Sequence, residues 1–157
     1  ASIMLHDMLR RILRNMDLSE NEIDESIYDA MLLSVDVAHA LHPNKKEKMD
    51  ITNKPVMGKG FCIKQACSQS YATDAQAIAI LCQLCDEKGI PYQRFVNRSD
   101  SRGGSTLGSI AGTLLPVKTV DIGIPILAMH SACELMGVRD MKALSDCVTA
   151  FFGYLGK

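Results

Sequence analysis

Asp36 closes an apolar run, Met31-Leu-Leu-Ser-Val35, and His39 and His42 follow within six residues, so a carboxylate and two imidazoles gather where a strand should end. In open α/β sheets the strand ends are where ligands bind. Carboxylate oxygen and neutral imidazole nitrogen are donors that Zn²⁺ accepts, so the pattern admits metal chemistry beside the plainer reading of a capped turn with loop histidines. His130, in Ile126-Leu-Ala-Met-His-Ser-Ala-Cys-Glu134, stands at a second junction, between an apolar run and an expected helix. By itself it reads as a satisfied core histidine, and it gains interest only if Asp36 lies beside it.

Two further motifs carry less. Gly103-Gly-Ser-Thr106 before a helix would offer backbone N–H groups to an anion, yet it lacks the Lys and spacing of a phosphate loop and reads as a tight strand-to-helix connection. Cys82 and Cys85 have redox or zinc spacing, but Ile78, Leu81, Cys82 and Cys85 line one apolar helix face, which points to packing.

Elements must position these residues. Ile3, Leu5, Met8, Leu9, Ile12, Leu13 and Met16 recur at helical spacing, predicting an amphipathic helix over 3–16. Ser19 with Glu22 three residues on signals a capping box for a second helix over 20–30. Strands are predicted over 31–35, 61–66, 91–96 and 117–122. Helices are predicted over 75–88, started by Thr73-Asp74 and stopped by Gly89, and over 106–115. A last helical stretch covers 133–154 with a break near Gly137, and 42–55 is a loop whose Lys-rich run reads as a solvated face. Strands and helices in alternation argue an α/β layered domain, one sheet with helices on both faces.

Composition narrows the function classes. The 157 residues are 47% hydrophobic and 22% charged with a net charge of −1, ordinary globular usage without a positive field for nucleic acid or anionic lipid. Nucleic acid and membrane are therefore not expected partners. No run approaches the ~18 apolar residues of a membrane span, no export signal is visible, and the six cysteines read as reduced, which places the protein in the cytoplasm. The start, Ala1-Ser-Ile-Met-Leu, reads as that of a processed protein or a piece of a longer one.

Several blocks together carry a resemblance. Ser34-Val-Asp-Val-Ala-His-Ala-Leu-His-Pro-Asn44, Gly58-Lys-Gly60 with Ile63-Lys64, Tyr71-Ala-Thr73, Gly104-Ser-Thr-Leu-Gly108, Val120-Asp-Ile-Gly123 and Leu127-Ala-Met-His-Ser131 closely resemble, in order and spacing, the aspartyl aminopeptidase family of zinc metallopeptidases. The resemblance implies that residues 1–157 are the C-terminal portion of a single zinc aminopeptidase catalytic domain, zinc-peptidase-like in fold. It implies two zinc ions per complete site, with Asp36 and His130 as metal ligands and Asp36 also near the substrate amine. His39, Lys64 and Tyr71 fall on its substrate-contacting positions.

The same resemblance implies substrates that are peptides with a free, preferably acidic, N-terminal residue, and a homo-oligomer when complete. The general-base glutamate and the remaining ligands belong to an N-terminal part of the same enzyme. Glu20, Glu22 and Glu25 do not match its Glu-Glu motif, so no catalytic base is assigned on this chain. Alternatives are a co-catalytic zinc hydrolase of the same fold preferring neutral residues, and a non-catalytic folding or assembly fragment. Lys64 alternates with apolar Ile63, so its ammonium is expected to face solvent or a cleft.

Overall fold

A computed structural model describes residues 3–101 and 103–154. Its helix ends follow the caps in the sequence. Ser19 and Glu22 form the reciprocal capping box of α2 (Glu20–Asp29), the Ser19 amide donating to the Glu22 carboxylate at 2.8 Å and the Glu22 amide to Ser19 Oγ at 3.4 Å. Asp74 accepts from the Ala77 amide at 2.8 Å to open α3 (Ala75–Lys88). Gly89, at φ 64°, closes it in the left-handed conformation that a residue without Cβ reaches freely. Helix α1 (Met4–Arg14) has no side-chain cap and no buried residue; Arg10 and Arg14 tie it to Glu20 of α2.

Strands β1 (Met31–His39), β2 (Phe61–Gln65), β3 (Tyr92–Val96) and β4 (Lys118–Leu127) form a mixed sheet in the order β1-β4-β2-β3. β1 runs parallel to β4 and β2 parallel to β3, while β2 and β4 are antiparallel. One face gathers Phe61, Ile63, Val120, Ile122, Ile124 and Ile126. Against it pack Ala77, Ile78, Leu81 and Cys85 of α3 and Ala143, Leu144 and Cys147 of α5 (Val138–Phe152). Full burial of each such aliphatic side chain is worth ~1.5–3 kcal/mol. Helix α4 (Leu107–Ala111) lies against β1 and β4, where the other face carries a smaller apolar cluster of Ala38, Cys62, Tyr71 and Phe95. The expected α/β sheet flanked by helices is the one found.

Four boundaries differ from the sequence reading. β1 does not end at Val35 but stays paired with β4 as far as His39, so Asp36 and His39 lie within the strand and not on a turn after it. β4 does not end at Ile122 but runs through Gly123 and Pro125 to Leu127. Pro125 is tolerated because β2 pairs with β4 only as far as Gly123 and β5 (Leu135–Met136) begins to pair at Ile126, so the proline falls in the gap between two partners. The helix expected over 133–154 begins only at Val138, because Leu135 and Met136 pair with the end of β4 instead. His130 therefore sits in a turn between two strands and not at a strand-to-helix junction. The helix expected over 106–115 is regular only to Ala111 and continues as turns to Leu115.

The expected cysteine packing is present: Cys85 is buried in the core with its Sγ 3.8 Å from that of Cys147, and all six cysteines are free. A second buried contact anchors the loop before β2. Asp140, fully buried in the first turn of α5, accepts from the amides of Gly58 at 2.6 Å and Gly60 at 2.8 Å. Gly60, at φ 102°, runs so close to Pro91 that a Cβ would overlap its carbonyl.

Asp140→Ala should therefore cost about 2–4 kcal/mol, since two amides lose a charged acceptor and are left in the interior. The urea midpoint should fall with the slope unchanged. A loss within about 0.5 kcal/mol, the range of ordinary surface substitutions, would show that the loop does not depend on this carboxylate.

Candidate metal and substrate site

Register and side-chain alternation put Ser34, Asp36 and Ala38 of β1, Asp121 and Gly123 of β4, and Cys62 and Lys64 of β2 on one face of the sheet. Asp36 is opposite Gly123, and Lys64 is opposite Asp121. Lys64 is only 2% exposed. Its ammonium donates to the Asp36 carboxylate and, at 3.1 Å, to the Val37 carbonyl, so the side chain crosses β4 to reach β1. It also lies 4.9 Å from the centre of the Tyr71 ring, a cation–π distance.

Of the two expected surroundings, solvent or a cleft, the buried ammonium excludes the first. A buried ammonium must meet an anion, and here it is Asp36 across the sheet rather than Asp121, the carboxylate opposite it in register. Asp121 is fully buried and its Oδ2 accepts from Thr106 Oγ1 at 2.6 Å and from the Ala72 amide. Its Oδ1 has no partner among the described residues and lies 2.7 Å from where a Cβ on Gly108 would stand. Gly123 matters for the same geometry. A Cβ there would come within 2.7 Å of Val37 C and 3.0 Å of the Asp36 carbonyl, driving β1 away from β4 at Asp36.

Tyr71 is held from both ends. The amide after it is bonded to Asp121, and Asn97 Nδ2 donates to its hydroxyl at 2.9 Å. Burial raises the Tyr71 hydroxyl above its ordinary pKa; the Asn97 bond opposes this, and the Asp36 and Asp121 carboxylates add to it. Asp36 itself keeps 41% of its side chain exposed, so it offers solvent an oxygen while the other meets Lys64.

β1 and β4 being parallel, their C-terminal ends lie together, with His39 the last residue of β1 and His130 three residues beyond Leu127 of β4. The His39 imidazole is held below its ordinary pKa, first by burial, then by the charges of His130 and Lys64. The turn that carries His130 is strained. Ala128 at φ 57° and His130 at φ 70° are both left-handed without being glycine. The Glu134 carboxylate holds the turn by accepting from the His130 amide at 2.6 Å. Backbone strain of this kind costs ~1–3 kcal/mol per residue and clusters at functional sites.

As a donor set, Asp36 and His130 are of the types zinc accepts, and Asp36 already faces a cation, the Lys64 ammonium. Among the described residues, however, no three or more His, Cys, Asp and Glu side chains converge as a metal site. The chain thus fits a metal as a contributor of ligands and not as the whole shell. Asp121, Thr106 and Asn97 were not singled out from the sequence. Asp121 alone left a signal, a charge inside the apolar run Val120-Asp-Ile122.

Comparison with known proteins gives a consistent result. A family described as aminopeptidase I zinc metalloprotease, M18, matches residues 1–152. A probable M18 family aminopeptidase 2 of Clostridium novyi is 47% identical over 139 residues, 88% of this chain and 32% of that protein. A cryo-EM structure of the Ape4 and Nbr1 complex superposes with a TM-score of 0.91 at 34% identity, covering 96% of this chain and 29% of that one. The mApe1 dodecamer of S. cerevisiae superposes with a TM-score of 0.66 at 27% identity, over 79% of this chain and 27% of that one. The chain spans about a third of the length of the curated relatives it matches.

His39 should titrate, in metal-free protein followed by NMR, below the usual ~6.5 of a histidine. His130→Ala should raise that midpoint only partway, because burial is the larger cause. The folded imidazole binds its proton less readily than the unfolded one, so the linked stability is intact above about pH 6.5 and declines as the pH falls toward the folded value. An unchanged midpoint in His130→Ala would mean that the two imidazoles are not neighbours.

Proposed function

The chain belongs to the aminopeptidase I family of zinc metalloproteases, M18, and from that premise we propose that residues 1–157 are the C-terminal portion of the catalytic domain of a dinuclear zinc aminopeptidase. The reaction is hydrolysis of the first peptide bond of a chain with a free, acidic N-terminal residue. The observation that carries this reading is the parallel pairing of β1 and β4, which sets Asp36, His39 and the strained His130 turn at one end of adjacent strands.

Asp36 and His130 would hold zinc, which when bound polarises the scissile carbonyl and lowers the pKa of water. Asp36 also takes the substrate amine, its exposed oxygen being open to a second cation. His39, neutral at physiological pH, is suited to accept or donate a hydrogen bond to substrate without adding charge. Tyr71, fixed by Asn97, presents a hydroxyl in one orientation. Lys64, whose ammonium is held by Asp36 and the Val37 carbonyl, meets an acidic first side chain by giving up Asp36 to the zinc and the substrate amine, a charge-assisted contact worth ~1.5–3 kcal/mol.

The general base is assigned to a glutamate outside this chain. Glu20 is spent on Arg10 and Arg14, and Glu22 on the α2 cap. The complete enzyme is read as a homo-oligomer, in line with the dodecamer formed by the S. cerevisiae relative. A cytoplasmic setting suits six free thiols, of which Cys62 is pushed up to about 12 by burial.

The test uses the full-length protein. Asp36→Ala and His130→Ala should each lower kcat/KM on N-terminal aspartyl substrates by at least about a hundredfold, and chelation should abolish turnover that zinc restores. The 157-residue chain alone should show none. Undiminished activity in either variant would overturn the ligand assignment. Lys64→Met should lower kcat/KM on acidic N-terminal residues by roughly ten- to a hundredfold and on neutral ones less. Equal losses would show that the ammonium serves Asp36 and does not read the substrate's charge.

A further inference from the structure

The loop over 42–55, which reads from the sequence as a solvated charge run, does more than face water. Together with the segment after β3 it walls a cleft of about 500 Å³ beyond the ends of β1 and β3. Among the described residues the cations lining it are Lys45, Lys48 and Arg98, joined by the imidazoles of His39 and His42, and no Asp or Glu lines it. Two carboxylates stand outside the lining: Glu47, 4.0 Å from Lys45, and Asp100, 2.7 Å from Arg98. Both pairs are solvent-exposed, and such pairs hold their partners weakly. Lys48 makes no ion pair among the described residues. Arg98 also donates to the Glu47 carbonyl, which ties the two walls together.

The cleft is continuous with the site above. His39 belongs to both, and Asn97, which holds the Tyr71 hydroxyl, lines the cleft as well. It begins three residues along β1 from Asp36, or ~10 Å at the rise of a strand. That exceeds the reach of the side chain of a first residue whose amine sits at Asp36. An extended peptide advances ~3.3–3.6 Å per residue, so the second to fourth residues arrive there.

Resting on the aminopeptidase reading, we propose that this cleft receives the leaving part of the peptide and selects a carboxylate on its second to fourth residue. The carboxylate is either a side chain or the C-terminus of a short peptide. Lys45 and Lys48 are the selecting cations, and Arg98 holds the walls. A charge read here is independent of the one read at the first residue, so a carboxylate at either place strengthens binding by itself.

The experiment is calorimetric binding to the full-length protein. The probes are tetrapeptides with a neutral first residue whose first peptide bond is replaced by a methyleneamine, so that they are not hydrolysed. One carries Glu at the third position with an amidated C-terminus, one Gln with an amidated C-terminus, and one Gln with a free C-terminus. The expected result is about fivefold tighter binding of either carboxylate-bearing peptide than of the neutral one, the worth of two exposed charge contacts. The preference should shrink in high salt and vanish in the Lys45→Met, Lys48→Met double variant. A preference for only one of the two carboxylate peptides identifies which source the cleft takes. Equal binding of all three by the unaltered protein, or a preference that survives the double substitution, overturns the proposal. Turnover of the unmodified peptides is a separate readout: its absence would count against the aminopeptidase reading, while the binding comparison would still decide the cleft.

Discussion

An ammonium that is 2% exposed has to find an anion inside the protein, and much of the site is arranged around that requirement at Lys64. The lysine reaches past the strand between them to Asp36, so β1 and β2 are joined over β4 by a side chain as well as by the ladders on either side of it. Tyr71 closes over the same ammonium, and Asn97 fixes Tyr71. The arrangement needs β1 and β4 to come very close at Asp36, which Gly123 permits. One buried charge thus sets the positions of a carboxylate, a phenol and an amide that would otherwise be free to rotate.

Two further buried carboxylates act on loops and not on strands. Asp121 takes the Ala72 amide and the Thr106 hydroxyl, joining the segment before α3 to the start of α4. Asp140 takes the Gly58 and Gly60 amides and joins the loop before β2 to α5. Both replace secondary structure with charge-assisted bonds where the chain is irregular, which is how loops next to a site can be rigid without ladders of their own.

The helix caps at Ser19, Asp74 and Gly89 were legible because each is a local device, complete within four residues. Asp36, His39 and His130 were legible as types and order, and the parallel pairing of β1 with β4 brings the two separated segments to one end of the sheet. For Lys64 alternation fixed the face, opposite Ile63, but not whether water or a neighbouring strand's carboxylate lies there. β4 passes its expected end at Ile122 because, of Gly123 and Pro125, one allows a close approach and the other falls between two pairing partners. The helix expected over 133–154 lost its start to β5, a two-residue pairing that no periodicity can announce.

The position of β1 at the rim of the sheet has a consequence for assembly. Along nine residues one flank of β1 meets β4, while among the described residues no strand meets the other, and Val35 stands 47% exposed there. Natural proteins blunt such rims with lysine, proline or a bulge, and Met31–His39 contains neither lysine nor proline. Its open row of amides and carbonyls is a template onto which another copy can add a strand. That flank is where a further strand, from this protein or another, would extend the sheet.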